Sequence, residues 1–271
     1  MKMITVREVF WSVALLLLCL ILSSPTSAQG IGGRAGVGGR GGIGGGVSSS
    51  FAPGFSGQAG TCAATGTACG TAITLSVTAG QFAVCSVFSF NPSDILTCTD
   101  SDGDSITNQP SGSPASLTFA TFTSTFAVFE GALTHTNASE AFTCHHTVTA
   151  NEAICAVSVY NGMPMSGFDV PLAANLVTGL ASGATNASGG TTAVTANPKE
   201  LAIGIFIGAG SGVTTWSAAS GPWNLRTSNS AEFNIAIVDL TLTSTGAQTA
   251  AAIFNNSGTG ASYIGFTTTI K

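Results

Sequence analysis

The chain has 271 residues, with 7 Lys and Arg against 12 Asp and Glu, a net charge of −5 and only 7% charged residues. So acidic a chain lacks the clustered Lys and Arg that phosphate backbones require, which excludes nucleic acid as a partner. With so little charge, solubility falls to Thr, Ser, Asn and Gly, a surface that suits exported β-proteins better than cytosolic enzymes.

Lys2 and Arg7 precede the apolar run Val13–Leu22, and Ser23–Ala28 follows with small residues and a proline. This order predicts a secretory signal peptide over residues 1–28, cleaved after Ala28. The run is shorter than the roughly 20 residues of a membrane helix, so no membrane span is expected after cleavage. Cys19 has no small residues before it and does not read as a lipid-attached cysteine.

From Gly30 a six-residue repeat follows: Gly-Ile-Gly-Gly-Arg (30–34), Gly-Val-Gly-Gly-Arg (36–40) and Gly-Ile-Gly-Gly-Gly (42–46). Gly36, Gly38 and Gly41 match G-x-G-x-x-G, but a dinucleotide site sets its glycines between a strand and a helix, and neither is available here. Residues 29–60 are expected to be a disordered Gly/Ser-rich tether, because glycine loses the most backbone freedom on ordering. The alternative is an assembly arm that docks through its isolated Ile, Val and Arg side chains.

Residues 61–271 read as one β-domain of about 210 residues. Strands are expected at Ala72–Thr78, Phe82–Phe90, Ile95–Thr99, Ala120–Phe129, Ala141–Thr149, Ala153–Tyr160, Thr191–Ala196, Leu201–Ile207, Phe233–Leu242, Thr249–Phe254 and Ser262–Ile270. Each is short, rich in Val, Ile, Phe and Thr, and bounded by turn residues. Phe119, Phe122, Phe126 and Phe129 fall at helical spacing, yet the intervening threonines favour a strand. Met163–Gly190 is expected to be a long loop with a helical turn near Leu172–Val177. Many short strands suggest an antiparallel two-sheet β-sandwich.

Four passages carry a family resemblance. They are Val77–Gln81 before an apolar strand, Thr99–Asp104, Val157–Gly162, and Ala196–Leu201 followed by Ser220–Trp223. Over roughly residues 70–270 the chain resembles a family of secreted bacterial β-sandwich domains, jelly-roll or lectin-like, mostly without assigned function. The resemblance implies a jelly-roll-like fold and supplies no catalytic residues. A Pro-Lys insert before Glu200 and the abundance of cysteine depart from it.

Cys62, Cys69, Cys85, Cys98, Cys144 and Cys155 form an even set, which in an exported chain reads as disulfides. Chain order suggests Cys85–Cys98 and Cys144–Cys155, each pair directly opposed on strands joined by a turn, with Cys62–Cys69 closing a small loop.

Asp100, Asp102 and Asp104 alternate as in a calcium loop, although the glycine and the glutamate of an EF-hand are missing. The competing reading is a β-hairpin turn built on Asp and Gly. His145 and His146 are adjacent, so a regular strand points them to opposite faces and disfavours a shared metal. No nucleophile motif occurs, and Glu130, Glu140, Glu152, Glu200 and Glu232 are too scattered to declare a glycosidase pair. Trp216, Tyr160 and Tyr263 are candidate sugar-stacking residues, with Trp216 expected in an exposed turn over Gly212–Ser220 and Trp223 expected in the core. The sequons at Asn137, Asn186 and Asn255 are what so Asn- and Ser-rich a chain produces by chance.

The sequence therefore predicts an exported, disulfide-bonded all-β module that is not an enzyme and needs no cofactor. Adhesion or glycan binding is the favoured role, with an extracellular polysaccharide or a cell-surface component as partner. A self-assembling structural subunit and a polysaccharide hydrolase are the alternatives.

Overall fold

The computed structural model describes residues 54–65, 72–119, 122–148, 152–162, 167–169, 171, 176–181, 183–195, 198–256 and 260–271. The expected signal peptide, most of the expected tether, and Cys69 lie outside them. Among the described residues every regular element is a strand. The first are β1 (Gly54–Thr65), β2 (Ile73–Val77), β3 (Phe82–Ser89), β4 (Leu96–Thr99) and β5 (Ala115–Phe119). Then come β6 (Phe122–Ala132), β7 (Asn137–His146), β8 (Glu152–Asn161), β9 (Leu176–Ala181) and β10 (Ala184–Thr191). The last are β11 (Leu201–Ala218), β12 (Asn224–Ser228), β13 (Ala231–Thr241), β14 (Thr249–Asn256) and β15 (Ala261–Ile270).

All pairings between these strands are antiparallel. One sheet has the order β1-β8-β3-β6-β5, and a small one the order β2-β7-β4. The largest is built on β11, whose first half pairs with β13 and β15 and whose last residues, Thr214–Ala218, pair with β14. β12 extends it beyond β13, β9 beyond β15, and β10 beyond β14.

Side-chain alternation divides the interior into three spaces. Cys85, Val87, Phe129, Cys155 and Val157 on one face of the five-stranded sheet meet Ile73, Leu75, Cys98, Phe142 and Cys144 of the small sheet. Val84, Phe88, Phe126, Ile154 and Tyr160 on its other face meet Ile203, Ile205, Ile235, Ile237 and Phe266. The far face of the β11 sheet carries Ala202, Phe206 and Trp216 against Ala252 and Phe254 of β14. β3 and β15 are buried at every position, which explains their unbroken apolar and Thr-rich runs.

β14 folds back over the first half of β11, and glycine makes that approach possible. A Cβ on Gly204 would stand 2.3 Å from the Ala250 methyl, and one on Gly208 would stand 2.3 Å from the Phe254 ring.

Several expectations are corrected. Gly54–Gly60 belongs to β1, so strand begins inside the stretch read as tether. Met163–Gly190 holds β9 and most of β10, and Thr192–Thr195 is not strand. These segments are Gly-, Ala- and Asn-rich, and they become strand because a neighbour supplies the backbone pairing. The phenylalanine run follows strand geometry: Phe126 and Phe129 enter different spaces on opposite faces of β6, whereas a helix would set them on one face.

Candidate functional site

The cysteines stand in the space beneath the small sheet. Disulfides join Cys85 to Cys98 and Cys144 to Cys155, with Cα atoms 6.6 and 6.5 Å apart. The expected partners are correct and the expected geometry is not. β3 does not pair with β4, nor β7 with β8; both bonds cross from the five-stranded sheet to the small one facing it. Cys98 and Cys144 are register partners within the small sheet, and Cys62 and Cys155 within the other. Cys62 is disulfide-bonded, and its Sγ lies 2.8 Å from Cys155 Sγ. Cys85 Sγ lies 3.6 Å from Cys144 Sγ.

The acidic loop Asp100–Asp104 is tied up internally. Asp100 Oδ1 accepts hydrogen bonds at 2.8 Å from the backbone N–H groups of both Gly103 and Asp104. Gly103 holds φ at +82°, a left-handed conformation that suits glycine. Asp104 accepts from the Thr134 backbone N–H at 3.0 Å, from the Thr134 hydroxyl, and approaches His135 Nδ1 at 3.2 Å. Asp102 Oδ2 accepts from the Asn137 amide at 3.1 Å. Glu140, on β7, accepts from Ser101 Oγ and the Ser101 N–H at 2.7 Å and from the Asp102 N–H at 3.1 Å. Burial raises the Asp100 carboxyl, and the Asp104 and Glu140 charges add to that. Burial would raise Glu140 too, but the Ser101 and Asp102 donors outweigh it and hold that group below its ordinary value.

Asp100 Oδ1, Asp102 Oδ2 and both Asp104 oxygens meet separate partners, while Asp100 Oδ2 is buried without a hydrogen bond. Among the described residues, only cysteines form groups of three or more ligand atoms within 4.8 Å of one another. The calcium arrangement expected of Asp100, Asp102 and Asp104 is not brought together, and the loop is no hairpin, because β4 pairs only with β7. The histidines are separate as well. His135 meets Asp104, His145 Nε2 meets the Thr99 hydroxyl at 3.3 Å, and His146 is buried against Asp94.

The aromatic candidates are corrected more sharply. Trp216 is 4% exposed, Tyr263 8% and Tyr160 0%. Trp216 lies in β11 rather than in a turn, and its ring sits 4.6 Å from Phe254 and 5.3 Å from Phe206. Its indole N–H donates to Asn234 Oδ1 at 2.7 Å. Tyr160 stacks on Phe82 at 5.3 Å. Burial, then the charge of Asp239, pushes the Tyr160 phenol well above its ordinary range. Trp223 is buried, as expected. Every Phe, Tyr and Trp ring whose burial is described is buried or half-buried.

Three further buried charges are Asp94 and Asp239, which the sequence reading did not weigh, and Glu130, which it weighed only among the scattered glutamates. Asp94, between β3 and β4, accepts from Ser89 Oγ at 2.5 Å, His146 Nδ1 at 3.0 Å, and the Thr147 and Val148 N–H groups at 2.6 and 2.8 Å. Burial would raise this carboxyl; the Ser89, Val148, Thr147 and His146 donors outweigh it and hold it below its ordinary value. Asp239 accepts from Arg226 Nε at 2.7 Å, and the Arg226 guanidinium stands 4.5 Å above the Phe55 ring. Glu130, on β6, accepts from the Asn108 amide, while burial lifts its carboxyl to about 7. The signal for Glu130 and Asp239 was present: each interrupts an apolar run, in Phe126–Leu133 and Ile235–Leu242.

Compared with protein-family models, curated proteins and solved structures, the chain matches none. Among the described residues no helix is long and apolar enough to cross a membrane.

Proposed function

We propose that this domain is an exported, non-catalytic module of the cell exterior, serving adhesion or a structural role, with a β-sandwich of jelly-roll kind as its frame. One observation carries the reading: the side chains able to do chemistry are turned to holding the domain together. The acidic loop is closed on its own backbone and on β7, Asp94 and His146 are buried against each other, and the indoles and phenols pack inward. Disulfides between layers favour an oxidising compartment. The buried aromatics withdraw the support that Trp216, Tyr160 and Tyr263 lent to glycan stacking. Contact through exposed Thr, Ser and Asn, or through strand edges, is the form of binding that remains supported.

The test mixes purified 29–271 protein with a panel of insoluble polysaccharides and follows both depletion from solution and release of soluble sugar. The reading expects no sugar release. Depletion by one polymer makes the domain a binder of that polymer, and self-association seen by sedimentation makes it a structural subunit. Sugar release overturns the reading.

A further inference from the structure

The five described cysteines form one unbroken path of sulfur: Cys62, Cys155, Cys144, Cys85, Cys98. Two steps along it are disulfides, between Cys155 and Cys144 and between Cys85 and Cys98. The other two are contacts of 2.8 Å, from Cys62 to Cys155, and 3.6 Å, from Cys144 to Cys85. The Sγ atoms of Cys62, Cys144 and Cys155 all lie within 4.8 Å of one another, as do those of Cys85, Cys98 and Cys144. Each trio is the attacking, central and leaving sulfur that one thiol–disulfide exchange needs.

We propose that this path is a thiol–disulfide exchange relay, which converts an opening at Cys62 into release of Cys98. An external thiol or phosphine supplies the electrons that open the Cys62 disulfide, and solvent base removes the proton. The Cys62 thiolate attacks Cys155 Sγ; the Cys62–Cys155 bond forms, the Cys144–Cys155 bond breaks, and the electron pair leaves on Cys144. That thiolate attacks Cys85 Sγ; the Cys85–Cys144 bond forms, the Cys85–Cys98 bond breaks, and the pair leaves on Cys98, which takes up a proton. The number of disulfides is unchanged by the two exchanges, so no oxidant is needed.

The re-paired bonds tie different elements. Before exchange, two disulfides cross between the five-stranded sheet and the small one, through β3–β4 and β7–β8. Afterwards one bond lies inside the five-stranded sheet, between register partners on β1 and β8, and one crosses, from β3 to β7. The edge strand β4, four residues long, loses its covalent tie. Cys62, on the edge strand β1, is the most exposed of the five at 9%.

Two experiments test the relay. The first enters the path from its Cys85 end without reductant, in the variant Cys98→Ala, and should arrive at the same two new pairs. The Cys85 thiolate then attacks Cys144 Sγ; the Cys85–Cys144 bond forms, the Cys144–Cys155 bond breaks, and the pair leaves on Cys155. That thiolate attacks Cys62 Sγ, so that the Cys62–Cys155 bond forms, the existing Cys62 disulfide breaks, and the pair leaves on the sulfur that Cys62 had held. Peptide mapping after acid quench should find Cys85–Cys144 and Cys62–Cys155 in most molecules. Retention of Cys144–Cys155 with a free thiol on Cys85 overturns the proposal. The second uses the native protein, in case that variant fails to fold. A phosphine at acid pH opens one bond per molecule, the reductant is removed, and exchange is started at pH 8 and trapped with a maleimide. Label should pass to Cys98 with time, accompanied by only the two new pairs. Label that stays where it began, or a scatter of pairings such as unfolded chains produce, overturns it.

Discussion

The two faces of the five-stranded sheet are held in different ways. Toward the β11 sheet the contact is hydrocarbon: Ile203, Ile205, Ile235 and Ile237 against Phe88, Phe126 and Ile154, with no disulfide among the described residues crossing it. Toward the small sheet, sulfur lines the space and two disulfides cross it. The size of the facing layer accounts for the contrast. β2, β7 and β4 have 5, 10 and 4 residues, too little apolar area to fix a layer by burial alone. A cross-link that limits the unfolded chain adds what area cannot. Covalent ties thus stand beneath a layer of short strands.

The largest expected effect breaks the hydrocarbon side. Phe126→Ala removes a fully buried ring that meets Phe266 at a centroid distance of 6.3 Å, and should cost about 3–5 kcal/mol in urea unfolding. Its m-value should not change, because the unfolded chain is the same. Replacing Cys144 and Cys155 together by alanine should cost about 3 kcal/mol and raise the m-value, because the unfolded chain expands. An equal m-value in both variants would erase the distinction drawn between the two faces.

The third prediction concerns pH. Glu130 lies on the same face of β6 as Phe126 and Val128, and burial lifts its folded-state value from 4.5 to about 7. Between those values the folded chain keeps a proton that the unfolded chain has lost. The stability this group contributes is full below 4.5 and falls as pH rises through about 7. Glu130→Gln should therefore gain up to about 3 kcal/mol at pH 8 and nothing at pH 4, by thermal or urea unfolding. Asp94 has the opposite sign: its lowered carboxyl stabilises above the ordinary carboxylate value, and that contribution is lost in acid. The smallest effect is Ile95→Thr. That side chain is 65% exposed, and unfolding should shift by no more than about 0.5 kcal/mol.

How much was legible follows the source of each signal. β3, β8 and β13 announce themselves because both their faces are apolar, and both described disulfide pairs follow from chain order. β1, β5, β9, β10 and β12 did not. Their Gly, Ala, Thr and Asn residues carry little preference of their own, and pairing with a neighbour makes them strand. Trp216 misled for the same reason: its Thr- and Ser-rich setting reads as a turn, whereas β14 pairs with it and covers it. The three aspartates do not converge, because alternation in sequence says nothing of where each oxygen finds a donor.

By itself the sequence determined the class. Period-two apolar patterning in short runs bounded by turn residues pointed to an all-β domain, and the spacing of its cysteines pointed to cross-links within it. Only the tertiary structure decided that a third layer lies across the cysteine face, that the disulfides join layers rather than adjacent strands, and that five sulfurs fall into one path. Those facts depend on which faces meet across sheets, and contacts between strands remote in the chain leave no local trace in it.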